Sequence, residues 1–422
     1  MKRSPRVLLI GRRFWPHGSS DSACFLTELA CAIRRGGMHI EVLTPRYASS
    51  WPEKIVVREI PVHRPATAPR SEWSIGRYLK HLTSWLQRHA QSFDALLVDA
   101  IREESSAVTE VGKQLGIPVV LRCGGWGATS DPSWWKTSRA AKRSCNIAKS
   151  ADAIVADSGI HQRELIAEGF VRDRVHRINK GFPNFPARTA RTRQLAREVL
   201  GSVNSDLITS DETPVLLCSS PMTRSGGINL LVNAAPHLIK RYPDLRFWFI
   251  GDGPYRDWIY ENLRGHGMRA SIAMPGTFSD FTELCQAADL FFQPDDEGLD
   301  YFLPTAISAE LPLVCLRTSS TKSLLCGTPS RQETTANSSD PNRTLKTSEL
   351  IQWIDSSTAK QTRLAVSRVI DDLESARHRA AELRRNLLRS RPQADSIQSY
   401  MNLLGRLVQE REANPPSTET VL

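Results

Sequence analysis

Short apolar runs of four or five residues recur along the chain, each followed by a polar loop and then by a stretch with helical spacing. The first run, Val7-Leu8-Leu9-Ile10, ends at Gly11. After a loop, Phe25, Leu26, Leu29, Ala30 and Ile33 recur with a helical period until Gly36-Gly37 stops them, and residues 40–43 read as the next strand. Strand, loop, helix and strand in this order form the βαβ unit of a parallel sheet. Further strands are expected at residues 95–98, 119–122 and 153–155, with helices over 107–115 and 138–149.

Near residues 180–210 the alternation breaks. Pro183 and Pro186 are followed by Arg188, Arg191, Arg193 and Arg197 and then by a polar run. The pattern predicts a first domain over 1–190, a linker over 191–212 and a second domain over 213–392. A C-terminal helix and disordered tail are expected over 393–422. In the second domain strands are expected at 215–218, 247–250, 290–293 and 313–316, and helices over 230–241, 255–266 and 279–288. Residues 318–345 are rich in Ser, Thr, Asn and Pro and read as a long surface loop. Residues 356–389 are charged and helical in period, and 396–408 form an amphipathic helix. Two successive α/β units without sequence repetition predict two doubly wound domains facing each other, with ligands held in the cleft at the carboxyl ends of the strands.

Composition narrows the class. At 422 residues, two or three domains of roughly 150 residues each are expected. With 55 Lys and Arg against 45 Asp and Glu, the formal charge is +10. That excludes an acidic, solvating chain and calls for an anionic partner: a phosphorylated small molecule, an anionic membrane surface or nucleic acid. No motif for RNA or DNA accompanies the arginines, so nucleic acid is set aside. Arg377, Arg379, Arg384, Arg385, Arg389 and Arg391 form either a solvated helix face or a contact for anionic lipid. The eight cysteines are scattered and lack any CxxC pair, as expected of reduced cytoplasmic thiols. No apolar run approaches the roughly 18 residues of a membrane span. A cytoplasmic protein is expected, with peripheral attachment at the inner membrane face left open.

Candidate chemistry lies just after strands. The loop Phe14-Trp15-Pro16-His17-Gly18-Ser19-Ser20 precedes a helix and suits an anion, but it does not match GxGxxG. Arg122-Cys123-Gly124-Gly125-Trp126-Gly127, with Asp131, Trp134 and Trp135 beyond it, reads either as a sugar-binding loop or as a Gly-rich turn with core tryptophans. Gly251-Asp252-Gly253-Pro254 reads as a tight strand-to-helix turn. Pro294-Asp295-Asp296-Glu297-Gly298 offers either carboxylates to sugar hydroxyls or a solvated acidic turn.

These pieces, in their order and spacing, resemble a retaining GT-B glycosyltransferase of the glycogen-synthase-like, glycosyltransferase family 4 (group 1) type. The resemblance runs from about Val7 to Val314. It is carried by Phe14-Trp15-Pro16…Gly18, Arg35-Gly36-Gly37, Ala151-Asp152-Ala153-Ile154-Val155-Ala156-Asp157-Ser158 and Val175…Gly181. In the second half Gly227-Ile228-Asn229-Leu230-Leu231, Phe249-Ile250-Gly251-Asp252-Gly253-Pro254, Ala288-Asp289-Leu290, Glu297-Gly298 and Leu311-Pro312-Leu313-Val314 continue it. The resemblance implies two facing Rossmann-like domains, a nucleotide-sugar donor held by the second, an acceptor held by the first, and no obligatory metal or other cofactor. It places Gly18 near the donor phosphates, Gly251 and Gly253 beside the base, and Glu297, next to Gly298, against the donor sugar as the catalytic carboxylate. Arg122, Gly124, Gly125, Trp126 and Asp131 fall on the acceptor side.

Departures from the family pattern cluster at the donor phosphates. The usual Arg and Lys fall near Pro221 and on Gly226, with Arg224 between them as the candidate substitute. The second glutamate falls on Thr305, the first-domain histidine at about Cys123, and the usual Asn-Gly is Asn179-Lys180-Gly181. Two functions are therefore expected. One is transfer of a sugar, with retention, from a nucleotide-sugar to a polysaccharide, oligosaccharide or glycolipid. The other is a non-catalytic GT-B protein that binds a sugar or a partner in a glycan assembly system.

Overall fold

The computed structural model describes residues 3–15, 20–278, 280–327 and 346–414. The chain divides into two compact units. One comprises residues 1–17, 22–180 and 394–422, and the other comprises 18–21 and 181–393.

The first unit is built on an eight-stranded sheet. Its strands are β1 (Arg6–Ile10), β2 (His39–Leu43), β3 (Lys54–Val57), β4 (Ile60–His63), β5 (Ala95–Asp99), β6 (Val119–Arg122), β7 (Ala153–Ala156) and β8 (Val175–Arg177), in the order β3-β4-β2-β1-β5-β6-β7-β8. All pairs are parallel except β3 with β4. Strands of a parallel sheet covered on both faces read as unbroken apolar runs, which is why β1, β5, β6 and β7 were legible. The β3–β4 hairpin was not. Its turn residues, Arg58 and Glu59, take φ of 46° and 66° where Asn-Gly would be the usual signal. Arg58 is also tied to Glu28 at 2.8 Å.

The second unit carries β9 (Val215–Ser219), β10 (Arg246–Ile250), β11 (Ile272–Gly276), β12 (Leu290–Gln293), β13 (Leu313–Leu316) and β14 (Gln352–Ile354). They lie in the order β11-β10-β9-β12-β13-β14, all parallel. Each sheet has its own apolar core. Leu8, Leu96, Val98, Leu121 and Ile154 belong to the first, and Leu216, Phe247, Phe249, Phe292 and Val314 to the second.

One device recurs at the N-terminal ends of the strands. An Asp placed just before a strand accepts the first backbone N–H of its neighbour. Asp94 takes Arg6 at 2.7 Å, Asp152 takes Val119 at 2.8 Å and Asp289 takes Val215 at 3.0 Å. Each bond satisfies a donor that lies outside the strand ladder and pins the register of that pair.

Asp289 shows where the arginine run belongs. Residues 191–212 are not a linker. Thr189 caps the helix Ala190–Val203, which packs on the helix Phe281–Ala287 of the second unit. Arg188, Arg193 (3.1 Å), Arg197 (2.9 Å) and Arg377 (3.1 Å) all converge on the Asp289 carboxylate. Burial by itself raises the Asp289 pKa, but Arg188, Arg193 and Arg197 outweigh it and hold the group below the usual carboxylate range.

The C-terminal helix lies where it was expected and is longer at both ends. Gln393–Ala413 belongs to the first unit, burying Tyr400, Leu403, Leu404, Leu407 and Val408. A Cβ on Gly36 would lie 2.4 Å from the Met401 sulfur, so glycine there admits the helix. The segments that pass between the units run side by side, since Phe182 N–H donates to Arg391 and its carbonyl accepts from Gln393, each at 2.9 Å. The six C-terminal arginines do not form one lipid-facing row. Arg377 is on Asp289, Arg384 donates to Asn184 and Phe185 at 2.9 Å each, and Arg391 donates to the Leu325 carbonyl at 3.2 Å. Thr318 caps the helix Ser319–Cys326 where a loop was expected, and the rest of that loop, residues 328–345, lies outside the described residues. Among the described residues no helix is long and apolar enough to cross a membrane.

Replacing Asp289 by Ala leaves buried guanidinium groups without their counter-charge, and the second unit is expected to lose about 3–5 kcal/mol in urea unfolding. In the wild type, the folded pKa is depressed, so the stability from Asp289 is complete above the ordinary carboxyl pKa of about 4. It is lost as the pH falls further. The urea-unfolding stabilities of wild type and Asp289→Asn, measured as a function of pH, should therefore converge only below that pH.

Candidate functional site

In the second unit three loops leave the carboxyl ends of adjacent strands: residues 220–227 after β9, 251–255 after β10 and 294–301 after β12. Asp295 holds the first and third together. It accepts from Ser220 Oγ at 3.1 Å, from the Gly227 N–H at 2.9 Å and from the Glu297 N–H at 2.9 Å. Burial raises its pKa, opposed by the backbone donors of Glu297 and Gly227. Gly227 has no room for a side chain, since a Cβ would stand 2.6 Å from Asp295 Oδ2 and 2.8 Å from the Pro294 carbonyl. The helix Ile228–Arg241 starts from this turn, and Asn229 Nδ2 secures it against the carbonyls of Thr223, Arg224 and Gly226 at 3.0–3.1 Å.

The glycines after β10 serve the same approach. Gly251 has φ of 137°, and a Cβ there would meet the Ser220 carbonyl at 2.6 Å; at Gly253 it would meet the Met222 carbonyl at 2.3 Å. Met222 N–H donates to Asp252, and Tyr255 N–H donates back to Met222. Asp252 itself caps the turn by accepting from Gly253 at 2.8 Å. These residues, expected beside a base, are placed first of all by backbone packing.

Glu297 is half-buried in the loop after β12, its N–H on Asp295 and its carbonyl accepting from Gln293 Nε2 at 2.5 Å. Gly298, at φ of 80°, turns the chain toward the helix Phe302–Ser308. Thr305 is wholly enclosed and donates its hydroxyl to the Tyr301 carbonyl at 2.7 Å. Arg224 is exposed on the 220–227 turn, its guanidinium without a partner among the described residues. Gly18 lies outside the described residues.

Of the two readings of the Gly/Trp loop in the first unit, the burial of its side chains fits the Gly-rich turn with core tryptophans. Arg122, at the end of β6, is fully buried between Asp99 (2.6 Å) and Asp157 (2.5 Å) and lies over the Phe25 ring. Asp131 is buried too. It accepts from the N–H groups of Ile101 (2.6 Å) and Gly124 (2.8 Å) and from Arg102 (3.1 Å). Burial raises the Asp131 pKa against the pull of Arg102. Gly125 has φ of 70°, and a Cβ there would press on the Thr129 carbonyl at 2.5 Å. Trp126 is buried with its ring 4.6 Å from that of His161, and Trp135 donates its indole N–H to the Ile101 carbonyl. Cys123 is also enclosed, and burial pushes its thiol well above the usual range. Lys180 lies over Phe25 with Nζ 3.3 Å from the ring centroid.

Sequence reasoning missed Asp99, Asp157 and Asp295 as organisers of these loops. A usable signal existed, because each lies at or just beyond the carboxyl end of an apolar run.

An eight-stranded and a six-stranded Rossmann-like unit in succession, with glycines and carboxylates gathered at the carboxyl ends of the strands, make up the GT-B glycosyltransferase architecture. Residues 23–181 match the glycosyl transferase 4-like domain and residues 213–341 match the glycosyl transferases group 1 family, so the chain belongs to the group 1 GT-B glycosyltransferases. No curated protein matches it in sequence. Among solved structures, sucrose-phosphate synthase from Thermosynechococcus elongatus superposes with a TM-score of 0.70 at 15% identity, covering 97% of this chain and 100% of that one. Anabaena HepE in complex with UDP and glucose gives 0.68 at 13%, covering 95% and 100%. WaaG, a glycosyltransferase involved in lipopolysaccharide biosynthesis, gives 0.65 at 13%, covering 94% and 99%. At these identities the likeness is one of fold.

Gly251→Ala should force the β9 and β10 loops apart. We expect a loss on the order of 2–3 kcal/mol in urea unfolding, with the midpoint lowered and the slope unchanged.

Proposed function

We propose that the protein transfers a sugar from a nucleoside diphosphate sugar to a glycan or glycolipid acceptor, with retention, and that the donor lies against the loops after β9, β10 and β12. The observation that carries the reading is Asp295. It draws the Glu297 backbone and the turn before the helix Ile228–Arg241 into one constellation. In this reading the Glu297 carboxylate accepts hydrogen bonds from donor-sugar hydroxyls. The leaving diphosphate meets the start of the helix and the guanidinium of Arg224, which stands in for the Arg and Lys replaced by Pro221 and Gly226. The bond from the anomeric carbon to the phosphate oxygen breaks, and the acceptor hydroxyl forms the new bond on the same face while its proton passes to the departing phosphate. HepE was solved with UDP and glucose, which makes UDP-glucose the first donor to test.

A second reading, a binding protein without transfer, is favoured by Thr305. Where the family's second carboxylate would hold the donor, this chain has an enclosed hydroxyl already given to Tyr301.

Calorimetry with UDP and UDP-glucose, together with UDP release in the presence of oligosaccharide acceptors, separates the two. Arg224→Ala is expected to weaken UDP binding about tenfold. Glu297→Gln should lower turnover by about 100-fold or more with little change in donor affinity. Donor binding without release of UDP across acceptors would favour the second reading, and UDP binding unchanged in Arg224→Ala would overturn the role given to that arginine.

A further inference from the structure

Arg64, in the first unit, is a buried cation without a counter-charge among the described residues. It follows β4, is 1% exposed, and no carboxylate among the described residues pairs with it. Its Nη2 donates to the Trp15 carbonyl at 2.9 Å, its guanidinium lies 5.0 Å from the Trp51 ring centroid, and its Nε is buried with no hydrogen-bond partner. Arg122 is buried to the same degree in the same unit, yet it is flanked by two carboxylates. An unpaired ion in the interior costs several kcal/mol, so its retention asks for an occupant.

Two neighbours share the deficit. β2 and β4 run parallel with Leu43 opposite His63, and the Thr44 N–H donates to the His63 carbonyl at 3.0 Å. Thr44 and Arg64 are the next residues beyond that pair. Thr44 Oγ1 is buried and unpartnered, as is Nε of Arg46, whose Nη1 reaches Glu53 at 3.3 Å. All three follow the carboxyl ends of β2 and β4, the end at which open α/β sheets bind ligands. Trp51, whose ring lies against Arg64, is one of a small group of aromatic residues. Tyr47 lies 6.0 Å from Trp51, and Trp15 is 39% exposed.

We propose that this corner of the first unit is an oxyanion subsite for a sugar-sized ligand that carries a carboxylate or a phosphate. The Arg64 guanidinium takes two oxygens of the anion, Thr44 donates its hydroxyl to the anion, and Trp51 and Tyr47 pack against the sugar ring. The Tyr47–Trp51 turn parts to admit the ligand to Arg64. As a statement about the acceptor, which would then be an acidic saccharide, this rests on the glycosyltransferase reading. As a binding site it stands without it.

The test is calorimetry on the full chain with glucuronate, glucose 6-phosphate, inorganic phosphate and, as the neutral control, glucose. UDP is titrated separately. At least one acidic sugar should saturate, and glucose should not. Arg64→Gln should weaken that binding by about tenfold or more, Thr44→Val by about threefold, and UDP binding should not change. Saturation by glucuronate assigns the anion as a carboxylate, and saturation by glucose 6-phosphate assigns it as a phosphate. Circular dichroism checks that Arg64→Gln folds, and if it does not, Thr44→Val and Trp51→Leu decide. Saturation by no acidic sugar, equal binding of glucose and glucuronate, or acidic-sugar binding unaffected in these variants overturns the proposal. A failure of UDP to bind bears on the donor reading alone.

Discussion

The structure depends on one constraint: backbone N–H groups at the ends of the strands and in the loops need acceptors outside the ladder, and aspartate carboxylates supply them. At the N-terminal ends of the sheets Asp94, Asp152 and Asp289 each take the first N–H of an adjacent strand. At the carboxyl ends Asp131 and Asp295 do the same for loops, drawing Ile101 to Gly124 in one unit and Gly227 to Glu297 in the other. Such bonds are directional and charge-assisted, so they specify register and loop position where apolar packing alone would tolerate a slip.

One of these carboxylates also accounts for much of the placement of positive charge. The formal surplus of +10 suggested an exposed basic surface. Much of the arginine run instead converges on Asp289, where four guanidinium groups share one carboxylate and arginines of the run also donate to helix and loop carbonyls. These arginines hold the helix Ala190–Val203 onto the sheet of the second unit. Arg224 and Arg64 are exceptions of opposite kinds. The first is exposed on a loop at the carboxyl end of its sheet, and the second is buried with no carboxylate on it among the described residues.

Legibility followed local physics. Strands β1, β5, β6, β7, β9, β10, β12 and β13 were visible because their runs are buried on both faces. The β3–β4 hairpin was hidden because Arg58-Glu59 occupies a turn that normally advertises itself with glycine. The helix Ala190–Val203 was taken for a linker because its arginines looked solvated, and their partner lies about a hundred residues further along the chain. The reading of residues 251–254 as a tight strand-to-helix turn agrees with the close packing of Gly251 and Gly253, whereas the approach at Gly227 carried no local signal. At Gly227, Gly251 and Gly253 the approaching group is protein, a carboxylate or a carbonyl.

The sequence by itself determined the alternation of strand and helix, the two α/β units and the family, because burial on two faces and turn chemistry are written in adjacent residues. Only the tertiary structure decided which charges are consumed. Arg122 and Asp131 became interior supports, Asp295 became the link between the loops after β9 and β12, and Arg64 was left without a carboxylate among the described residues. The energy of a charge depends on partners and solvent brought near it by folding, and those partners lie far away along the chain.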